Sequence, residues 1–314
     1  MGKAKISVLM ATYNGEKYIE EQLNSLLVQS REIDELVIVD DYSTDATVCI
    51  IRDFIDKHKK NDSWVIYENE KNKGWKKNFH EGISLITGSV LFFCDQDDIW
   101  LTDKIECQMK ILEQHPEIMV LASEETVWYG GNKPEVTKLS DHATLEKIEL
   151  GCNAENYMIQ CSGCTMAIRR EYINRVLPYY IDRCAHDDIF WKIGSLDGKC
   201  YFLHESTILH RIHGNNESRK RGRTLKKSIQ NCRNEIDTGN QMINYMQTYS
   251  VPNYSVKKGT VENVINAYRY RLGLLEKKKV SSILPLATRY SMIFRRKRQL
   301  VGDILLAFGL KEQL

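Results

Sequence analysis

The run from Asp95 to Asp98, with the sequence DQDD, places three carboxylates directly after an apolar stretch. That stretch, Val90 to Cys94, is typical of a buried strand. Carboxylates packed at the end of a strand repel one another unless a cation or a polar partner lies among them. A divalent cation would relieve the repulsion, and carboxylate oxygens are ligands that suit Mg²⁺ or Mn²⁺. The alternative is a solvated acidic turn, which D-x-D spacing alone does not exclude.

Two further polar clusters follow strand-like runs in the same way. Thr12, Tyr13 and Asn14 come after a β-rich run that begins at Ile6, and the pair Asp40-Asp41 follows another. In an open parallel sheet, ligands bind beyond the carboxyl ends of the strands. Three polar clusters in this position favour a binding edge over an incidental acidic turn.

The surrounding pattern predicts the elements that position these clusters. Strand-like and helix-like segments alternate five times with short connections, which is typical of a parallel α/β sheet with helices on both faces. The predicted strands are Ile6–Met10, Leu36–Val39, Ser63–Tyr67, Ser89–Cys94 and Ile118–Ala122. The alternation fails after about residue 125, where Met158–Ile168 is predicted to be extended. From Thr224 onward the pattern is helical.

Composition limits the class of protein further. The formal net charge is only +2, but residues 257–298 carry twelve Lys or Arg and two Asp or Glu. Nine cysteines scattered through apolar runs indicate buried free thiols rather than a disulfide framework. Cys161 and Cys164 form a lone C-x-x-C, and zinc would need a second ligand pair. No signal peptide and no spanning segment is predicted, so a cytoplasmic protein is expected.

Three motifs together resemble the family 2 glycosyltransferases of GT-A fold. They are the run Ser7–Gly15 (SVLMATYNG), the run Val39–Thr47 (VDDYSTDAT) and DQDD. The motifs DQDDIW from Asp95, CSGCTM from Cys161 and RIHGNN from Arg211 are similar to those of the bacterial rhamnosyltransferase branch. The resemblance implies an α/β GT-A catalytic domain over 1–216, with a nucleotide-sugar half at 1–125 and an acceptor half at 126–216. A basic helical region, 217–314, would follow it.

The resemblance implies a role for each polar cluster in binding a nucleotide sugar. Asp41 would accept a hydrogen bond from N3–H of uracil or thymine, Asp95 would lie near the ribose or sugar, and Asp97 would bind metal. The residues implied to bind the nucleotide sugar are Thr12, Tyr13, Asn14, Asp40, Asp41, Gly74, Lys76, Asp95 and Gln96. The residues implied to bind the divalent metal, Mg or Mn, are Asp95, Asp97 and His213.

Inverting transfer needs a base to take the proton of the acceptor hydroxyl. Asp187 matches the family position and is the predicted base, with Asp188 as the alternative; either could instead cap the helix that follows. Asp98 is interpreted as a cap of the helix expected from Thr102. Ser43 and Asp45 are interpreted as caps of the helix expected from residue 44.

The basic tail suggests a surface partner. Apolar residues interleaved with Arg289 and the run Arg295–Arg298 are typical of a helix on anionic lipid, or of a helix packed on the catalytic domain. Nucleic acid is not expected, because no recognised binding motif accompanies the charge. The sequence thus predicts an inverting, metal-dependent transferase that moves L-rhamnose from dTDP-rhamnose onto a lipid-linked saccharide at the inner face of the bacterial plasma membrane. A UDP-hexose donor, or a non-catalytic nucleotide-sugar-binding module, is the alternative.

Overall fold

The protein, as a computed structural model, is described at residues 4–134, 144–214, 216, 223–294, 296 and 298–310. It separates into two compact units. Unit 1 comprises Met1–Ile148 and Ile159–His213, and unit 2 comprises Glu149–Met158 and Gly214–Leu314. The sequence assigned 149–158 to the first domain. The structure places it in unit 2, where the Tyr157 hydroxyl donates to Glu235 at 3.2 Å and Lys257 pairs with Glu149 at 2.7 Å.

Unit 1 contains nine strands and six helices among its described residues. The strands are β1 (Ile6–Thr12), β2 (Glu35–Asp40), β3 (Trp64–Glu68), β4 (Val90–Asp95), β5 (Ile99–Trp100), β6 (Val120–Trp128), β7 (Leu145–Ile148), β8 (Ala167–Arg169) and β9 (Cys200–Arg211). The helices are α1 (Ile19–Leu27), α2 (Thr47–Lys57), α3 (Trp75–Gly82), α4 (Lys104–Gln114), α5 (Arg170–Val176) and α6 (His186–Asp197). The predicted alternation through the first five strand-like segments is confirmed.

The strands form one sheet in the order β3-β2-β1-β4-β8-β6-β9-β5, and β7 pairs with β9. β3, β2, β1 and β4 are parallel, as predicted. The second half is mixed, since β8 runs antiparallel to both β4 and β6. The predicted extended run Met158–Ile168 is wrong except at its end, because a 3-10 turn at Gly163–Thr165 precedes β8.

Burial on both faces explains why the central strands are continuously apolar. In β4, Leu91, Phe92, Phe93 and Cys94 are all fully buried although their side chains alternate between the two faces. Strands covered by helices on both sides have this pattern, whereas strands with one wet face alternate apolar and polar residues. The polar groups that follow β4 are therefore fixed by a rigid, packed strand.

Unit 2 is helical, as predicted from Thr224 onward. Its helices are α7 (Leu225–Thr248), α8 (Tyr254–Lys277), α9 (Ile283–Ala287) and α10 (Arg298–Ala307). α7 and α10 both pack against α8. Asp303 of α10 is fully buried, where it accepts a hydrogen bond from Arg271 at 2.9 Å and pairs with Arg223. Among the described residues, no helix is both long and apolar enough to cross a membrane.

Candidate active site

The three polar clusters predicted from the sequence meet at one edge of the sheet. β1 lies between β2 and β4, with Thr12 in register with Asp40 and Ala11 in register with Asp95. The strands are parallel, so all three carboxyl ends point to the same side. This edge is the place where an open α/β sheet binds its ligands.

Asp40 and Thr12 form buried hydrogen bonds that stabilise this edge of the sheet. Thr12 is buried and donates its hydroxyl proton to Asp40 at 2.8 Å. Asp40 also accepts from the backbone N–H and the hydroxyl of Ser43, at 2.7 and 2.6 Å. Asp40 is only 1% exposed, and both of its carboxylate oxygens accept hydrogen bonds that stabilise the turn. Ser43 belongs to this turn rather than capping α2, and the ligand contact expected for Asp40 stays a prediction.

Tyr13, Asn14 and Gln96 line the same edge through backbone contacts. The Gln96 side chain accepts from Tyr13 N–H at 2.9 Å and donates to Tyr13 C=O at 3.0 Å. Asn14, at φ 47°, accepts from the backbone N–H of Thr44 at 2.8 Å. Asp45 accepts from Thr47 N–H at 3.0 Å, but the N-cap residue of α2 is Ala46, so the cap role predicted for Asp45 is wrong. The exposed Tyr13 ring is thus held by β4 and presented to solvent.

Asp41 anchors the loop that precedes α3. It accepts hydrogen bonds from Lys73 N–H at 2.8 Å, Gly74 N–H at 2.7 Å and the Asn69 amide at 3.0 Å. Gly74 has φ 84°, a conformation that glycine adopts without strain. A carboxylate offers about four acceptor positions, so three protein donors leave room for about one from a ligand.

The three carboxylates of DQDD have different environments. Removal from water raises the pKa of Asp95 to about 8, and the negative charges of Asp98 and Asp97 add to this effect. Asp97 lies against His213, whose Nε2 is 2.7 Å from an Asp97 carboxylate oxygen. Asp98 is fully buried and accepts from Arg211 N–H at 3.0 Å. α4 begins at Lys104 with Asp103 as its N-cap residue, so the predicted helix cap at Asp98 is wrong.

Asp98 is instead held by the last strand of the sheet. His210 Nδ1 is 3.2 Å from its carboxylate, and the Cys164 thiol completes a group whose ligand atoms lie within 4.8 Å of one another. Burial lowers the pKa of His210, but the hydrogen bond and charge of Asp98 outweigh it and raise that pKa to about 9. Cys164 thus packs near Asp98 and His210, and all nine cysteines are free thiols. Five of the nine are buried, as predicted, whereas Cys49 and Cys152 are exposed.

Arg211 is a site residue whose individual role the sequence did not reveal. Its Nε donates to the backbone carbonyl of Asp97 at 2.9 Å, and its guanidinium pairs with Glu21. The same guanidinium lies over the rings of Trp128 and Tyr18, 4.3 and 5.0 Å from their centroids. Arg211 therefore clamps the DQDD turn to β9, β6 and α1. The only sequence signal was its place in RIHGNN, two residues before His213.

Asp187 and Asp188 both lie in the first turn of α6 but have different partners. Asp188 forms an ion pair at 2.7 Å with Lys192, which is fully buried. Asp187 accepts the backbone N–H of Asp188 at 2.8 Å. Removal from water raises the pKa of Asp187 to about 6, and the charge of Asp188 adds to this effect. A carboxylate with this pKa is suited to proton transfer near neutral pH, whereas Asp188 is committed to its lysine.

The residue before Asp187 explains the glycine of the CSGC motif. The His186 ring packs on Phe93 and Phe79, with centroid distances of 4.1 and 4.3 Å. A Cβ at Gly163 would clash with the His186 ring, so only glycine fits there. Burial lowers the pKa of His186 to about 3, which keeps the ring neutral. The motif thus positions α6, and with it Asp187.

Asp97 and His213 form a donor set that fits a hard divalent cation. Carboxylate oxygen and imidazole nitrogen are both ligands of Mn²⁺, and oxygen is preferred by Mg²⁺. The His213 ring also stacks on Tyr18, with centroids 4.5 Å apart, which fixes its orientation. Asp95 lies close enough for the charge of Asp97 to raise its pKa. The group of Asp98, Cys164 and His210 fits such an ion less well, since Asp98 is already paired and a thiol is a soft ligand.

One cavity of the described structure lies away from these residues. It measures about 570 Å³ and is lined by residues such as Lys5, Gly88, Val90 and Arg169. Lys5 and Val90 are at the amino-terminal ends of β1 and β4, so this cavity is at the opposite edge of the sheet. It therefore does not contribute to the site described above.

Comparisons with known proteins agree with this geometry. Residues 7–177 match the model of glycosyl transferase family 2. A dTDP-rhamnosyl transferase, RfbG of Shigella flexneri, is 28% identical over 66% of this chain and 73% of its own. An uncharacterized glycosyltransferase of Nostoc sp. is 25% identical over 76% of this chain and 74% of its own.

Solved structures show the same fold at lower identity. S. aureus TarS 1-349 in complex with UDP-GlcNAc has a TM-score of 0.61 at 17% identity, covering 96% of this chain and 81% of TarS. The mannosyltransferase PcManGT of Pyrobaculum calidifontis, in complex with GDP-Man and Mn²⁺, has a TM-score of 0.58 at 15% identity, covering 98% and 87%. The predicted GT-A fold with a C-terminal helical region is confirmed. The chain belongs to glycosyl transferase family 2 and is a glycosyltransferase.

Proposed function

We propose that this glycosyltransferase is inverting and metal-dependent, and that it moves L-rhamnose from dTDP-rhamnose onto a lipid-linked saccharide. The observation that carries the proposal is the contact of Asp97 with His213 at the edge of the sheet where Asp95 ends β4. Inverting transfer requires a group that stabilises the departing diphosphate, here a bound metal, and a base whose pKa is close to the working pH.

Asp187 is the group that moves the proton in this proposal. Its carboxylate takes the proton of an acceptor hydroxyl as that oxygen attacks the anomeric carbon of the donor. The bond from the anomeric carbon to the diphosphate breaks on the opposite face, and the electron pair leaves with the nucleoside diphosphate. The configuration at the anomeric carbon is therefore inverted.

The donor is positioned by the edge formed by β1, β2 and β4. Asp41 accepts from the N3–H of the pyrimidine at its remaining acceptor position, and Tyr13 offers an aromatic face. Asp97 and His213 would hold a divalent cation, which supplies Lewis-acid stabilisation of the departing diphosphate. That neighbours of the same fold were solved with UDP-GlcNAc, or with GDP-Man and Mn²⁺, supports a nucleotide-sugar donor and a divalent metal.

The choice of rhamnose rests on the similarity to RfbG and on the motifs DQDDIW and RIHGNN, which resemble those of rhamnosyltransferases. A donor panel tests it: release of nucleoside diphosphate is measured with dTDP-rhamnose, UDP-glucose, UDP-galactose and UDP-GlcNAc in the presence of MnCl₂. We expect dTDP-rhamnose to be hydrolysed fastest. Turnover of a UDP-sugar without turnover of dTDP-rhamnose would assign the donor to the UDP-hexose alternative.

We also propose that unit 2 attaches the enzyme to the inner, anionic face of the plasma membrane. Leu284 and Val301 are 72% and 56% exposed, and exposed arginines lie near them in sequence, Arg289 near Leu284 and Arg298 near Val301. Apolar side chains flanked by cations suit a surface of anionic lipid. Arg295 and Lys297 of the predicted basic run lie outside the described residues.

A further inference from the structure

A second cavity, of about 310 Å³, lies between the start of α3 and the segment that leads into α6. Its character is set mainly by cationic side chains and one indole. The residues that define it are Lys73, Trp75, Lys76, Lys77, Asp182 and Arg183. Both walls belong to unit 1, and one of them ends at Arg183, just before α6.

The charge of this cavity remains positive after its internal ion pairs are counted. Lys73 pairs with Glu81 at 2.6 Å, and Lys77 lies 3.7 Å from Glu81 and 3.8 Å from Asp182. Two carboxylates thus face the three ammonium groups of Lys73, Lys76 and Lys77, so the charge is positive without counting Arg183. Lys76 donates one of its three N–H groups to the backbone carbonyl of Arg183 at 3.1 Å. Several ammonium groups in one cavity can bind the oxygens of a phosphate group.

Trp75 adds an apolar surface to the cationic one. Its ring is half-buried and meets the His186 ring edge to face, with centroids 6.3 Å apart. The Lys76 ammonium lies 5.6 Å from the indole centroid. An aromatic face beside charged donors is the usual composition of a pocket for an amphipathic ligand. A sugar ring that carries a phosphate has this character, with C–H groups for the indole and oxygens for the lysines.

One wall of this cavity lies in the segment just before α6, the helix whose first turn carries Asp187. The sequence predicted that Lys76 contacts the donor, but its ammonium points to the Arg183 carbonyl, in the segment just before α6.

We propose that this cavity is the acceptor subsite and that it binds a saccharide bearing a phosphate group. The inference rests on the proposed function, because it assumes that Asp187 takes its proton from the acceptor. Trp75 packs on the sugar, while Lys77, Lys76 and Arg183 bind the phosphate. The phosphate can be attached at the reducing end of the saccharide or on another position of its ring.

The test is binding of small probes to the full chain with dTDP and MnCl₂ at saturation, so that the donor phosphate positions are filled. The probes are glucose 1-phosphate, glucose 6-phosphate, methyl glucoside and inorganic phosphate, titrated by calorimetry. We expect one glucose phosphate to bind at least tenfold more tightly than both methyl glucoside and inorganic phosphate. Preference for the 1-phosphate places the phosphate at the reducing end, and preference for the 6-phosphate places it on the ring.

Two variants assign the binding to this cavity. We expect Lys77→Met and Trp75→Leu each to raise the Kd of the preferred glucose phosphate at least tenfold, while Lys71→Met, at an exposed position outside the cavity, leaves it unchanged. Lys77 is exposed, so its replacement tests the proposal even if Trp75→Leu fails to fold. A Kd unchanged in Lys77→Met, or glucose phosphates that bind no better than inorganic phosphate, would overturn the proposal. Donor hydrolysis by the unmodified protein, measured without acceptor, tests the proposed function separately.

Discussion

His213 Nε2 lies 2.7 Å from a carboxylate oxygen of Asp97, although 116 positions separate the two residues in the chain. This contact joins the end of β4 to the segment that follows β9. It brings the motifs DQDD and RIHGNN together as the proposed metal-binding pair.

The first prediction concerns that pair. Replacing Asp97 by Asn removes the charged ligand, so we expect the loss of Mn²⁺-dependent stabilisation and a fall in transfer of about 100-fold or more. Thermal unfolding with and without MnCl₂ measures the first effect. Asp53→Asn, on the exposed side of α2, is the control and should retain the Mn²⁺ shift. An unchanged shift in Asp97→Asn would exclude Asp97 as a ligand.

The second prediction separates the two candidate bases. Asp187→Asn should abolish transfer while dTDP binding and stability remain, because its charge has no buried cation to balance. Asp188→Asn should lower the free energy of unfolding by about 3 kcal/mol, because it leaves the buried Lys192 without its partner. Urea unfolding and dTDP titration measure both quantities. Full transfer activity in Asp187→Asn would show that Asp187 is not the base.

The third prediction is the pH dependence of transfer. Burial raises the pKa of Asp187 to about 6, and only the deprotonated carboxylate can accept a proton. We therefore expect kcat/KM to fall about tenfold per pH unit below about 6 and to level off above it. Initial rates at saturating metal across this range test the expectation. A profile that stays flat down to pH 4.5 would mean that another group is the base.

The fourth prediction concerns Arg211 as a positioning residue. Arg211→Lys keeps the charge but loses the planar stacking on Trp128 and the fixed donors to the Asp97 carbonyl. We expect Mn²⁺ affinity to fall about 10- to 100-fold, as is typical when groups that orient metal ligands are lost. Electron paramagnetic resonance of free Mn²⁺ reports this affinity directly. The exposed Arg52→Lys is the matched control; equal affinities in both variants would contradict the role.

The fifth prediction concerns the membrane. We expect the double variant Leu284→Ser and Val301→Ser to sediment with anionic liposomes several-fold less than the unmodified protein, because both apolar side chains are largely exposed. Val65→Ser, an exposed apolar position on β3, is the control. Equal sedimentation of all three proteins would leave no role for these side chains in attachment.

Much of the fold could be predicted because the signals are local. The continuous apolar runs of β1, β2 and β4 and the short connections to helices indicate a parallel sheet without any tertiary information. The second half of the sheet could not be predicted in this way. β6 pairs with β9 and β8 across long separations, and its register includes shifts near Ser123 that no local pattern encodes.

The sequence by itself determined which residue types stand at the carboxyl ends of the strands, because the order of strand and polar turn is written along the chain. Only the tertiary structure decided how similar carboxylates divide their roles. Asp40 and Asp98 are turned inward to Ser43 and Arg211, Asp188 is committed to Lys192, and Asp97 meets His213. The physical reason is that burial and the nearest partner set the availability and pKa of a carboxylate, and both depend on contacts between segments far apart in the chain.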